Sequence, residues 1–413
     1  MQFGLVGEKL GHSFSPELHA MIGGYPYEIC EVPREALADF FRRRAFSGVN
    51  VTIPYKSAVL PYLDELSPAA RRIGAVNTVV NRAGRLIGYN TDYDGMRYLL
   101  ADTGISLTGK KVLILGAGGT SKTALAVAQD AGAREVLRVS RTPREAGVID
   151  YTAAREMYAD AEVLLDTTSV GMYPNVSGVP LCIDDFPRLS GVIGAVYRPL
   201  RSTLIEQARE RGIPAAGGLA MLVAQGVRAS ELFLDTKYPE SLTRELAGRI
   251  IREKSHLILI GMPAVGKTTV GKLLAEMTGR AFFDTDAEIV RQAGCDIPTL
   301  FETRGEAGFR ALEARVVEEI AYGQVGTVIA TGGGVPLSEQ NRMALRRTGQ
   351  VFWLDRPTED LIPTEDRPLA KSGEALRALR AAREPVYRAT ADKRIMGAQT
   401  PEETAKRIWE AFL

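Results

Sequence analysis

Two groups of residues in this 413-residue chain have the types and spacing to do chemistry. The first lies in GMPAVGKTTVGK, Gly261–Lys272, directly after the apolar run HLILI. It meets the pattern G-x-x-x-x-G-K-[ST] through Gly261, Gly266, Lys267 and Thr268. Glycines let successive backbone N–H groups turn toward phosphate oxygens, and the helix N-terminus behind them favours negative charge. Lys267 would place its charge on the β- and γ-phosphates of ATP, and Thr268 would ligate Mg²⁺. Ala264, Val265 and Thr269 complete the nucleotide-binding run. A glycine turn with no ligand is the plain alternative, and the strand-before, helix-after context argues against it. Downstream, FFDTDAEI sets Asp284 and Asp286 two apart at a strand end, which predicts both on one side. Phosphoryl transfer to a hydroxyl wants one acid near the metal and one near the alcohol. FRALEAR adds Arg310, VIATGGG offers three backbone donors at Gly332, Gly333 and Gly334, and REPVY adds Arg383. Each arginine alone would read as a solvated surface residue.

The second group surrounds GAGGT, formed by Gly116, Ala117, Gly118, Gly119 and Thr120. It is only part of G-x-G-x-x-G, because Ser121 stands at the third glycine position. The run KKVLIL before it and the helical pattern TSKTALAVAQDAG after it supply a β-α-β context for a dinucleotide. An acid ending the next strand would bind a ribose 2′-hydroxyl. Ser140, Arg141 and Thr142 stand there instead, with Arg144 beyond, and suit a 2′-phosphate, so NADP(H) is predicted. Lys56 ends NVTIPYK and Asp92 lies in the polar turn GYNTDYDG. At strand ends, such a lysine and carboxylate share proton transfer to a carbonyl oxygen while hydride reaches its carbon. Standing alone they would read as a surface lysine and a helix-capping aspartate.

Short apolar runs alternating with helical patterns must position these residues, so the chain is α/β throughout. FGLVG, YEICEV, GVNVTI and AVNTVV read as strands, and PREALADFFRRR as a helix. EVLRVS, EVLLD and GVIGAVY continue the alternation, and GGLAMLVAQGVRASELF opens a helix. A polar helical pattern from Asp235 to Lys254 leads to a boundary near Glu253–Ser255, after which HLILIG, TVIATGG and QVFWLD restart the strands. The predicted domains are 1–100, completed by about 218–250, then 101–217, then 255–413. A net charge of +1 gives no reason to expect nucleic acid or an anionic membrane as partner. No run reaches the roughly 20 apolar residues of a membrane helix. The first residues carry no basic, apolar, cleavable pattern, and a cytoplasmic protein is expected. Cys30, Cys182 and Cys295 lack metal-ligand spacing and read as buried or inert thiols.

The region Lys254–Leu413 resembles shikimate kinase. It carries the phosphate loop, D-T-D, the G-E-x-x-F-R-x-x-E run from Gly305 to Glu313, T-G-G-G, D-R-P-L from Asp366 and R-x-P-x-Y from Arg383. The resemblance implies a P-loop domain of nucleoside-monophosphate-kinase type. It places Asp286, Arg310, Gly333 and Arg383 on shikimate, with both arginines on the carboxylate. Arg367 would close from a lid onto ATP, and Asp284 would help hold Mg²⁺ through water. Ala264 stands where the family often has glycine, which predicts a crowded loop, and the lid TEDLIPTEDRPLAK is short and acidic.

From about Met1 to Asp235 the chain resembles shikimate dehydrogenase. GHSFSPELH, NVTIPYK, GAVNT, GYNTDYDG, GAGGT, SRT, SVGM, VYRP and GGLAMLVAQ occur in that family's order. The resemblance implies an α/β substrate domain joined to a Rossmann NADP domain. Shikimate would be held by Ser13, Ser15, Thr52, Asn77, Asp92, Tyr197 and Gln225, with Lys56 and Asp92 as the catalytic pair. Gly116 to Thr120 would cradle the pyrophosphate, and Gly218 would lie near the nicotinamide. His12 and His19 are assigned no proton chemistry. Asp166 stands where the family usually has asparagine, and Ala195 replaces a larger or polar residue; both are expected to weaken NADP binding. Together the halves imply reduction of 3-dehydroshikimate and phosphorylation of the resulting hydroxyl. Oxidation of quinate by the first half, and a non-catalytic ligand sensor, are the alternatives. Oligomeric state, monomer or homodimer, is not set by the sequence.

Overall fold

The computed structural model describes residues 1–10, 13–357 and 373–412. Arg367, the lid segment around it and His12 lie outside these residues. The chain forms two compact units, Met1–Arg249 and Ile250–Leu413.

The first unit contains two sheets. One holds β1 (Phe3–Gly7), β2 (Tyr27–Glu31), β3 (Gly48–Val51), β4 (Glu65–Leu66), β5 (Thr78–Arg82) and β6 (Arg85–Tyr89), in the order β2-β1-β3-β5-β6-β4. β1 pairs in parallel with β2 and β3, whereas β3, β5 and β6 pair antiparallel. The β5–β6 hairpin turns at Ala83 and Gly84, both at positive φ, as a tight two-residue turn requires. β6 escapes a reading by apolar runs because RLIGY alternates exposed and buried residues.

The other sheet is all parallel: β7 (Lys111–Leu115), β8 (Glu135–Val139), β9 (Val148–Ile149), β10 (Val163–Asp166), β11 (Gly191–Gly194) and β12 (Ala215–Ala216), ordered β12-β11-β10-β7-β8-β9. Its central strands are covered on both faces, which is why KVLIL and VLLD read as unbroken apolar runs. The Leu219–Leu234 helix returns to pack on the Thr91–Thr103 and Ser15–Gly23 helices, beside the first sheet.

The second unit is built on one parallel sheet, β13 (His256–Ile260), β14 (Phe282–Asp284), β15 (Val328–Ala330), β16 (Gly349–Asp355) and β17 (Lys393–Met396), ordered β14-β15-β13-β16-β17. β13 and β16 are wholly buried in its core. The division between units falls inside the Ser241–Lys254 helix. There Arg280 donates to the carbonyls of Arg252 and Ser255, and Gly326 N–H donates to that of Lys254. Among the described residues no helix is long and apolar enough to cross a membrane. All three cysteines are free; Cys30 and Cys295 are half-buried, and Cys182 is exposed in the surface loop before Ile183.

Both described histidines are buried and neutral. His19 stacks on Tyr27 at 4.0 Å between centroids, and burial lowers its pKa to about 3. His256 opens β13; its Nδ1 accepts from Thr327 N–H at 3.1 Å and its Nε2 lies 3.1 Å from the Ala321 carbonyl. Burial lowers its pKa to about 4. An unfolded imidazole titrates near 6.5, so between those pH values the unfolded chain binds the extra proton and stability falls as pH drops. His256→Gln should therefore lower the unfolding temperature of the second unit at pH 7.5 yet flatten its decline between pH 6.5 and 4.5. Parallel declines in calorimetric scans of the two proteins would rule this out.

Candidate functional site

In the first unit the two predicted proton-transfer residues meet. Lys56 follows the Ile53–Pro54 bend beyond β3, and its Nζ lies 2.5 Å from Asp92 Oδ2. Asp92 is in the first turn of the Thr91–Thr103 helix rather than a free turn, and the helix cap is Asn90, whose side chain accepts from Tyr93 N–H. Lys56 also lies beside the dinucleotide turn: a Cβ built on Gly119 would lie 3.5 Å from its Cβ and Cδ. Beside the pair runs a polar network. Asn77 Oδ1 accepts from Thr91 N–H at 2.7 Å, and Asn77 Nδ2 donates to Thr91 Oγ at 3.1 Å and to Gln225 Oε1 at 3.5 Å. Asn50 joins it through Thr78 Oγ and the Asn77 carbonyl, and Tyr27 donates to Asn50 at 2.8 Å. Ser13 and Ser15 are hydrogen-bonded to each other at 3.0 Å, and Tyr197 reaches their segment through Phe14, 5.4 Å away between rings. Thr52 N–H donates to Val6, at the carboxyl end of β1.

The turn after β7 fits a dinucleotide. Gly116 has φ +115, and a Cβ there would meet Thr167 Oγ1 at 2.8 Å. Gly118 caps the Gly119–Asp130 helix with no side chain on the free N–H groups, and a Cβ built on it meets open space. Such a cradle suits a pyrophosphate. Ala117 and Thr120 complete it. Ser121, in place of the third glycine, is buried and bonds its own helix at the Gly118 carbonyl, 2.7 Å away. Ser140 is half-buried at the end of β8, and Arg141, Thr142 and Arg144 are exposed after it. Gly218 is glycine for a packing reason: a Cβ there would lie 2.2 Å from the Ala195 carbonyl.

In the second unit three glycines form a floor under three charged side chains. A Cβ built on Gly332 would lie 2.3 Å from Asp286 Oδ1, one on Gly333 3.0 Å from Arg383, and one on Gly334 2.8 Å from Arg310. Pro263 of the phosphate loop borders the same floor, 3.1 Å from the Gly333 position. Asp284 and Asp286 do not share a strand side. Asp284 ends β14 and caps the next helix, where Asp286 lies. The acids therefore diverge, Asp284 taking Thr268 Oγ at 2.6 Å and Asp286 facing Gly332. Nor do all three glycines offer donors, because Gly332 N–H is donated to Thr285.

Lys267 is buried and donates to the carbonyls of Gly261 and Met262 at 2.9 and 2.8 Å. Val265 is buried behind the loop, and Thr269 follows Thr268 on the Lys267–Thr278 helix. Thr268 and Asp284 put two hard oxygen donors together, as Mg²⁺ that keeps most of its water prefers. No group of three metal-ligating side chains occurs among the described residues.

The sequence reading missed Asn50 and Tyr27, and named Glu313 only as the end of the kinase-like run, with no role. Arg310 Nη1 donates to both Glu313 oxygens at 3.0 and 2.9 Å; burial lifts Glu313 above the usual carboxylate range, opposed by Arg310. The signal for Glu313 was present, three residues on along the helix from Arg310. Nothing in the sequence marks Tyr27.

A family model described as the shikimate dehydrogenase substrate binding domain matches residues 5–79, and one described as shikimate kinase matches 263–412. The chain is 34% identical over 261 residues to a shikimate dehydrogenase (NADP(+)) of Clostridium perfringens, spanning 59% of this chain and 96% of that protein. Shikimate dehydrogenase 1 of Peptoclostridium difficile is similar in structure, with a TM-score of 0.56 at 34% identity, over 60% of this chain and 97% of that one. A shikimate 5-dehydrogenase of Thermus thermophilus, solved with NADP(H) and shikimate, gives 0.54 at 37% identity, over 60% and 99%.

Within the phosphate loop Ala264 has φ +63, a left-handed conformation that costs a residue with a Cβ about 1–2 kcal/mol. The expected crowding is thus backbone strain. Ala264→Gly should stabilise the second unit by about 1 kcal/mol, the strain relief being partly offset by glycine's unfolded-state freedom. Denaturant titration checks this, and an unchanged or lower midpoint would contradict it.

Proposed function

The chain belongs to the shikimate dehydrogenase family over its first unit, and from that premise we propose that it reduces 3-dehydroshikimate to shikimate there and phosphorylates the product in the second unit. The observation that carries the first activity is the Lys56–Asp92 pair lying against the dinucleotide turn at Gly119. Bound NADPH supplies the hydride. As negative charge develops on the ketone oxygen, the Lys56 ammonium donates a hydrogen bond and then the proton, while Asp92 keeps the amine oriented. Ser13, Ser15, Thr52, Asn77, Tyr197 and Gln225 hold the ring acid through its hydroxyls and carboxylate. Asn50 and Tyr27 fix the network behind them. Arg141, with Arg144, takes the 2′-phosphate, and Ser140 and Thr142 line the same turn.

For the second activity the carrying observation is the floor of Gly332–Gly334, with Asp286, Arg383 and Arg310 above it and the phosphate loop at its edge. ATP supplies the phosphoryl group. The two arginines bind the substrate carboxylate; Glu313 takes Arg310 Nη1 and Glu306 lies 3.7 Å from its Nε, so Nη2 is the nitrogen turned to that ligand. Asp286 orients the hydroxyl and accepts its proton. Lys267 and the loop N–H groups hold the phosphates; Thr268 would ligate Mg²⁺, and Asp284 would help hold it through water. Catalysis here is positioning and charge stabilisation, with no covalent intermediate. The 101–217 segment serves as the NADP domain, with 1–100 and 218–250 as the substrate domain, and the protein acts in the cytoplasm on small molecules.

Lys56→Ala tests the first activity. It should lower dehydrogenase turnover by roughly 10²–10⁴-fold and leave kinase turnover unchanged in the same preparation. Equal losses of both activities, or no loss, would contradict the assigned role.

A further inference from the structure

Asp166 is a buried carboxyl that the proposed chemistry does not use. It ends β10, in register with Leu115 at the end of β7. β8 lies on one side of β7 and β10 on the other, so the sheet's topological switch point falls between β7 and β10. Ligands of open α/β sheets bind outside the carboxyl ends at that point. Asp166 therefore borders the crevice in which Gly116 and Gly118 form the pyrophosphate cradle, and Gly116 is close to Thr167, the next residue.

The carboxyl is 2% exposed. Its Oδ1 accepts from Thr168 N–H at 3.0 Å and from Thr168 Oγ at 2.7 Å, whereas Oδ2 is buried with no hydrogen-bond partner. Among the described residues no cation pairs with it. Strand alternation turns it to the face of Leu164, which packs in the cluster that includes Tyr151. From the Tyr151–Met157 helix the facing titratable group is Tyr151, whose phenol feels Asp166 and, with opposite sign, Arg141. The Thr203–Glu210 helix, packed on β11, carries buried Glu206 beside Arg209. Leu115–Gly116 and Gly194–Ala195, at the neighbouring strand ends, bring no titratable side chain. Burial raises Asp166 to about 6, against the pull of Thr168.

A dinucleotide brings two pyrophosphate charges to this crevice, and NADPH adds a 2′-phosphate. Like charges in a poorly solvated site disfavour one another, and a carboxyl already raised by burial relieves the conflict by binding a proton. Protonation also turns the orphan Oδ2 into a donor. We propose that Asp166 takes up a proton when the dinucleotide binds, so that cofactor affinity weakens as pH rises through neutrality. The inference rests on the dinucleotide reading of the first unit.

The test is NADPH binding to the full chain and to Asp166→Asn, without substrate, from pH 5.5 to 8.5. Calorimetry in two buffers of different ionisation enthalpy reads the protons, and fluorescence titration reads affinity. Comparing the two proteins cancels the cofactor's own phosphate titration, which lies near pH 6. The unaltered chain should take up a substantial fraction of a proton more than the variant near pH 7. Its affinity should fall up to about tenfold more than the variant's between pH 6 and 8. Equal proton balances with parallel affinity profiles would overturn the inference. So would an absence of proton uptake when NADH, which lacks the titrating phosphate, binds the unaltered chain, a measurement that needs no variant to fold. Failure of NADPH to bind the unaltered chain at all would remove the dinucleotide reading, and this inference with it.

Discussion

Bare backbone after β15 is the constraint on which the second site depends, and the Lys56–Asp92 pairing plays that part in the first. Lys56 passes beside the dinucleotide turn, where even a Cβ on Gly119 would make ordinary contact with its stem at 3.5 Å. Asp286, Arg383 and Arg310 each come within about 3 Å of where a Cβ would stand on Gly332, Gly333 and Gly334. In the second unit charged side chains from three helices are thus brought against bare backbone at the carboxyl edge of a sheet. That edge is where parallel strands leave helix N-termini and turn N–H groups facing outward, so anions bind there without a dedicated cation for every charge.

The charges at the two edges are arranged differently. In the first unit the cation and carboxylate are paired with each other, Lys56 on Asp92, the arrangement proposed to pass a proton to a neutral ketone. In the second, two arginines converge from separate helices on one floor, and Arg310 is held by a neighbouring acid, Glu313. A planar carboxylate is the ligand such forks match. One ring acid bearing both a ketone or hydroxyl and a carboxylate satisfies both arrangements.

Much of this was legible in the sequence because it rests on local rules. The short apolar runs KVLIL and HLILI, each followed by glycine, read as buried strands leading into turns, and both are strands. The two glycine turns proposed to bind phosphate followed from that. Long-range placement was less legible. Asp284 and Asp286 looked like strand neighbours, but β14 stops at Asp284 and the helix begins, so the acids diverge. Gly332 looked like a free donor, yet Thr285 from that helix takes its N–H. Asn50 reaches the polar network around Asn77 only because β3 and β5 pair antiparallel, and Tyr27 only because β2 lies at the edge beside β1. The strain at Ala264 needed a dihedral angle, which no residue pattern prints.

The account stands on both units acting on the same oxygen of one molecule. Incubating the purified chain with 3-dehydroshikimate, ATP, Mg²⁺ and NADPH deuterated at its transferable position tests this directly, with the product read by phosphorus and deuterium NMR. The account predicts a single phosphate ester on the carbon that received the deuterium. A phosphate on any other carbon, or deuterated shikimate that accumulates without phosphorylation, would contradict it.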